Sequence, residues 1–315
     1  MRLRAGALAF VLAVAPCQSV RLAVSQATSR LADESHSTAC STGVPWKPIF
    51  YLQWHAFMAK EERLSLQRKE AGPGAGPPNT DDRPPAVVIG VFSRAGCKDA
   101  PFREVIRTTW MSLPGVCKLS SSGPRANCSV YVTFVFGGGQ ANGEKDVTIL
   151  PIKENINCGK TPSWFQHAAT TYPWATHVAK MDMDAFLHVS AFVNVLRNFS
   201  SGCENVYAGH SYVSSEDRPW LPPKGCGHPV GSDFLAYQTT RSPGSCWSYM
   251  QGGFYVLSRE LAKNVSQPGG WWQEESQNCR DEDAITGHAI YRYAVERDLC
   301  VAALKFQRKV FWHDP

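Results

Sequence analysis

The segment Ala86-Val-Val-Ile-Gly-Val-Phe92 constrains this chain more than any other. A near-continuous apolar run of that length is too short for a core helix. It needs cover on both faces, the pattern of a strand buried inside a parallel sheet. The residues beyond it keep to the same plan. Phe102, Ile106 and Trp110 repeat every four residues, which predicts a helix over 102–110. Further strands are expected at Val130–Phe136, Val147–Leu150 and Ala175–Met181. Helices are expected at Trp164–Tyr172 and Ser190–Asn198, the latter with Ser190 as N-cap. Alternating strands and helices predict an α/β domain, with a mostly parallel central sheet and helices on both faces. Residues 86–315 are long enough for one such domain.

The region before Ala86 reads differently. Arg2 and Arg4 precede an apolar stretch from Ala5 to Ala15 that is too short to span a bilayer, so 1–19 is expected to be a signal peptide or short signal anchor. Residues 20–85 are expected to be a stem or linker. It is rich in Ser, Thr and Ala, holds one candidate helix at 50–69, and ends in the Gly/Pro-rich stretch 71–78 and Arg83-Pro-Pro85. No apolar run reaches the length of a membrane span, which excludes a multi-pass membrane protein. The net charge of +5 is too small and too scattered to signal nucleic acid. Eleven cysteines without a C-x-x-C pair, and sequons at Asn127, Asn198 and Asn264, fit disulfides in an oxidising secretory lumen.

Four short segments could carry chemistry. Lys180-Met-Asp182-Met-Asp184-Ala-Phe186 ends an expected strand in two carboxylates one residue apart, placed to share a divalent ion such as Mn²⁺ or Mg²⁺. Asp-x-Asp is otherwise a solvated acidic turn. Arg103 and Arg107, one helical turn apart, could meet a diphosphate or form ordinary surface pairs. Gly252-Gly253 opens an expected strand; a glycine pair permits close backbone approach to a ligand or marks a bulge. Asp281-Glu-Asp283 sits at an expected helix start, where acids also favour the helix dipole. His313, near the C-terminus, could complete a metal shell or be merely exposed. His288 is the other candidate, though its place inside an expected helix favours packing. Ser93 and Arg94 come just after the first strand, at the end where open parallel sheets bind ligands.

Taken in order, these segments resemble glycosyltransferase family 31, the inverting β-1,3-galactosyl- and N-acetylglucosaminyltransferases of the Golgi. The similarity runs from Arg103-x-x-Ile-Arg-x-Thr-Trp110, through Lys180–Phe186 and Gly252-Gly-x-Tyr-Val-Leu-Ser258, to Glu282-Asp-Ala-x-x-Gly287, and so covers nearly all of 86–290. It implies a GT-A fold, Mn²⁺, a UDP-hexose donor and a glycan acceptor on glycoprotein or glycolipid. By position, Asp184 would bind the metal, with His313, while Asp182 would hold metal or ribose. Ser93, Arg94, Arg103, Arg107, Lys180, Gly252 and Gly253 would line the donor site. Asp283 would be the general base. The chain departs from the family at Met183, where an acid is usual, at Ala284 and at Gln251. Two other readings stay open at this level: a catalytically silent lumenal chaperone or sugar-binding protein on the same scaffold, and a metal-dependent hydrolase.

Overall fold

The computed structural model describes residues 51–70, 85–120, 123–212, 218–223, 234–237 and 247–313. The expected signal segment, and the expected stem apart from 51–70 and Pro85, lie outside these residues. Strand β1 (Val87–Phe92) is buried at all six positions, as its apolar run requires. It lies between two parallel neighbours, β3 (Val130–Gly137) and β5 (His177–Asp182). Beyond β3, the short strands β2 (Val116–Lys118) and β4 (Val147–Leu150) pair with it in parallel. Beyond β5 the sheet turns mixed. The long strand β9 (Tyr249–Ser258) runs antiparallel to both β5 and β7 (Asn205–Tyr212). Strand β10 (Val301–Lys305) pairs in parallel with β7, and β8 (Phe234–Tyr237) closes the order antiparallel. The result, among the described residues, is a nine-stranded, mostly parallel mixed sheet.

Side chains alternate across a strand, so β1 feeds two cores. Val87, Ile89 and Val91 meet α1 (Tyr51–Glu70), α2 (Ala100–Thr108) and α4 (Val189–Asn198) through Trp54, Ile106 and Phe192. Val88 and Phe92 face the opposite core. There they share space with α3 (Thr161–Thr171), α5 (Arg259–Val265), α6 (Trp271–Glu275) and α7 (Glu282–Arg297), through Trp164, Leu261, Trp272 and Ile290. Each fully buried aliphatic side chain of this kind is worth about 1.5–3 kcal/mol. Helices on both faces are therefore present, and the α/β architecture expected from the alternation holds.

Two local expectations shift. Helix α4 begins at Val189 with His188 in the cap position, so Ser190 is not the N-cap. Its hydroxyl donates to Glu61 of α1 instead, because that carboxylate is buried beside it. Helix α1, read as part of a spacer, packs into the body: Trp54 is wholly buried. Its periodicity is weak in sequence because, among its described side chains, only Trp54, Phe57, Met58 and Glu61 turn inward.

Disulfides join Cys117 to Cys128, Cys158 to Cys279 and Cys203 to Cys300, and Cys97 is also disulfide-bonded. Such bonds persist in oxidising compartments. No helix among the described residues is long and apolar enough to cross a membrane.

Gly90 has no room for a side chain. A Cβ there would lie 2.4 Å from the Trp164 ring, whose indole N–H donates to the Ala179 carbonyl at 2.9 Å. Gly90→Ala should therefore cost about 1–3 kcal/mol by overpacking, measured by urea unfolding. A variant as stable as the parent would mean that α3 can retreat from the sheet.

Candidate active site

Strand register assembles the site. Phe92 pairs with Asp182, so Ser93 and Arg94 emerge beside the end of β5. Met181 pairs with Phe254 in the antiparallel direction, which sets Gly253 and Gly252 alongside that same end. After a two-residue turn, β6 (Ala185–Leu187) pairs with β11 (Phe311–His313), and His313 falls opposite Ala185. A histidine 131 positions along the chain from Asp182 thus arrives at the Asp-x-Asp turn. One ligand atom from each of Asp182, Asp184 and His313 lies within 4.8 Å of the others. His313 Nε2 is 3.3 Å from Asp184 Oδ1.

The donors fit a divalent ion. Two carboxylates and one imidazole offer hard oxygens with one borderline nitrogen, a set that such ions accept. The approach of His313 depends on Gly253, where a Cβ would sit 2.5 Å from the imidazole Cγ. The glycine pair therefore does serve a close approach, and what it admits is a side chain of the chain itself. Burial alone would lower the pKa of His313, but its bond to Asp184 outweighs that and raises it.

Beneath the cluster lies Lys180, with no exposed surface. Its ammonium donates to Asp182 Oδ1 at 2.8 Å, to Glu282 Oε1 at 2.7 Å and to the Gly252 carbonyl. Burial opposes its charge, yet Asp182 and Glu282 hold the pKa above the ordinary lysine value. Glu282 is completed by Thr161 Oγ1 at 3.0 Å and the Tyr255 hydroxyl at 2.7 Å, both donating to Oε2. A buried ion pair with every partner satisfied avoids the penalty of an orphaned charge.

Asp283 stands one residue further along α7. Its Oδ2 accepts from the Gly252 amide at 3.0 Å and its Oδ1 from its neighbour's, Ala284, at 2.8 Å. Burial, reinforced by the adjacent Glu282 charge, pushes its pKa up to about 7, against the pull of Lys180 and the two amides. A carboxylate tuned to that value can take or give a proton near neutral pH. Gly252 touches Lys180 on its carbonyl side and Asp283 on its amide side, so the metal-type cluster and the tuned acid share one peptide segment.

A cleft of about 550 Å³ opens beside the cluster, lined by Ser93, Arg94, Asp99, Glu154, Lys160 and the 182–184 turn, among others. Ser93 and Arg94 thus do reach it; the Arg94 guanidinium also pairs with Asp99 at 2.9 Å. Arg103 and Arg107 do not line it. Arg103 is buried, bonded to Glu144, to the Ser93 hydroxyl and to the Arg94 carbonyl. Arg107 is held by Glu144 and Asp146. Their carboxylate partners lie about forty positions away in sequence, which is why helix spacing alone suggests a diphosphate. Here Arg103 braces the Ser93 hydroxyl and the Arg94 carbonyl, and Arg107 holds the carboxylate of Glu144 that the two arginines share. His288 stacks on Trp247 with centroids 4.7 Å apart and plays no part in the cluster. Met183 lines the cleft and packs against the core.

Sequence reasoning assigns no role to Glu282, Glu154 or Lys160. The Lys160 ammonium, nearly fully buried, bridges Glu154 and the Ser93 carbonyl at the cleft wall. Only Glu282 has a readable signal, its place beside Asp283. No protein-family model matches this chain, and no curated protein sequence matches it.

Gly253→Ala should drive the His313 ring from the cluster. Mn²⁺ affinity by calorimetric titration is expected to fall by about 10–100-fold, the usual effect of disturbing what orients a ligand. An unchanged affinity would remove His313 from the ligand set.

Proposed function

We propose that this chain is an inverting hexosyltransferase of GT-A type. It would move galactose or N-acetylglucosamine from a UDP-sugar to a glycan hydroxyl in the Golgi lumen, forming a β-1,3 linkage. The observation that carries this reading is the convergence of Asp182, Asp184 and His313 with the tuned acid Asp283 around Gly252 and Gly253. The four segments that resemble family 31 are the ones that meet there or, in the case of the arginines, buttress its rim.

Asp182, Asp184 and His313 would hold Mn²⁺, with Mg²⁺ as the alternative ion. Bound there, the ion supplies a counter-charge for the UDP diphosphate as it leaves. The remaining work falls to the chain. Ser93 and Arg94 line the cleft where the donor would lie. Lys180 keeps Asp182 oriented and neutralises part of the acidic cluster. Asp283, fixed by two backbone amides, takes the proton of the acceptor hydroxyl as its oxygen attacks the anomeric carbon. The bond from that carbon to the UDP oxygen breaks on the opposite face, so an α-linked donor yields a β-linked product. Met183, in place of the family's acid, sits with its side chain against the core, which leaves the ligands at 182 and 184. The alternative, a silent sugar-binding or chaperone protein, would use the same cleft without turnover.

The protein should release UDP from UDP-galactose or UDP-N-acetylglucosamine in the presence of Mn²⁺ and a glycan acceptor panel. Asp184→Ala should abolish Mn²⁺-dependent UDP binding in calorimetry. Donor left intact with every acceptor would favour the silent reading, and intact binding in the variant would move the metal elsewhere.

Asp283 gives a pH test. Below its pKa of about 7 in the free protein the carboxyl is protonated and cannot act as base, so kcat/KM should rise with pH and level off above that value. Asp283→Asn should keep UDP binding while kcat falls by about 100-fold or more, and lose the acidic limb of the profile. A variant that retains both rate and limb would exclude Asp283 as the base.

A further inference from the structure

Residues of the expected stem reach the site through the small sheet. Strands β6 and β11 are three residues each and, among the described residues, pair only with one another. A two-stranded sheet of that size is marginal in water unless something packs on it. Alternation splits its side chains: His313 goes to the Gly253 side, while Phe186 and Trp312, a cross-strand pair, face the other way. That second face is covered by α1. Trp54 meets Phe186 with centroids 5.6 Å apart, and Phe57 meets Phe186, His188 and Trp312 at 5.1, 5.2 and 5.9 Å.

A polar grip sits beside the aromatic one. Glu61, buried on α1, has Oε1 3.0 Å from His188 Nδ1 and accepts from Ser190 Oγ at 2.9 Å on Oε2. His188 comes directly after β6, and its backbone N–H donates to the Val310 carbonyl, one residue before β11. Glu61 therefore holds the residue that ties the exit of one strand to the entrance of the other. Asp184 immediately precedes β6 and His313 ends β11. Any loosening of this pair separates two members of the metal-type cluster.

We infer that α1 is a positioning element of that cluster: Trp54, Phe57 and Glu61 clamp the β6–β11 sheet against Gly253 and so fix Asp184 relative to His313. The inference rests on the proposed metal site for its consequence, and on the packing alone for the clamp. It makes the segment before the sheet domain a working part of the site, although 50–69 reads in sequence as spacer.

The test uses the full chain with Phe57→Ala or Glu61→Ala. Phe57→Leu serves as partial rescue, and Leu261→Ala as a control cavity in the opposite core. Free Mn²⁺ is measured by electron paramagnetic resonance well below each variant's melting temperature, and backbone amide exchange is measured in parallel. The α1 variants should bind Mn²⁺ at least about tenfold more weakly. Their β6 and β11 amides should exchange faster while those of β1 and β5 stay protected, and Phe57→Leu should recover most of the loss. Leu261→Ala should match the parent in both readouts. Parent-like exchange of β6 and β11 in both α1 variants would overturn the clamp. Equal weakening by Leu261→Ala would overturn it too, as general destabilisation. If the parent itself binds no Mn²⁺, the metal reading fails, and the exchange result still decides the clamp.

Discussion

A single buried ammonium organises this molecule's candidate site. Lys180 lies in the centre of the sheet with no contact with solvent, where an uncompensated charge would cost several kcal/mol. It is tolerable only because Asp182, Glu282 and the Gly252 carbonyl surround it. Those three groups come from β5, α7 and β9, so meeting the needs of one cation brings three distant segments together. Asp182 then leads to Asp184, Glu282 to Asp283, and Gly252 to Gly253. Around one desolvated charge, the acid cluster, the tuned carboxyl and the glycine pair are locked into a common frame.

The glycine pair does the complementary work of making space. Gly252 is approached by the carboxylates of α7 and by the Lys180 ammonium, and Gly253 by the His313 ring. A side chain at Gly253 would displace the His313 ring, and one at Gly252 would crowd the Glu282 carboxylate, 3.2 Å from the added Cβ. Attraction and vacancy are thus matched at adjacent residues of one strand. The β6–β11 sheet extends the arrangement outward, and α1 closes it from the far side through Trp54 and Phe57. The site is held from below by charge, from within by the absence of side chains, and from outside by aromatic packing.

The arginines of α2 illustrate a different use of charge. Arg103 and Arg107 share Glu144, Arg107 adds Asp146, and Arg103 reaches the backbone at Arg94 and the hydroxyl of Ser93. Arg103 thus supports the cleft's rim without entering it, and Arg107 supports Arg103's carboxylate partner. Arginine suits this role because its planar fork can satisfy several acceptors at once. The segment carrying them is a helix over Ala100–Thr108, and its arginines find protein carboxylates as partners.

Much of this is legible in the chain itself. Continuous apolar runs such as Val87–Phe92 can be stabilised only with both faces covered, so the α/β plan and most strand positions come from local pattern. The acids at 182, 184 and 283 stand out because they cluster where a strand ends or a helix opens, and such places are set by sequence-local propensity. What local pattern could not supply was partnership. That His313 meets Asp184, that Lys180 meets Glu282, that Arg103 meets Glu144 and that Trp54 meets Phe186 all depend on strand register and helix docking across tens to more than a hundred residues. Composition and periodicity determine which faces must be buried. Only the folded chain decides what each face is buried against, because that choice is made by packing and charge compensation summed over the whole sheet.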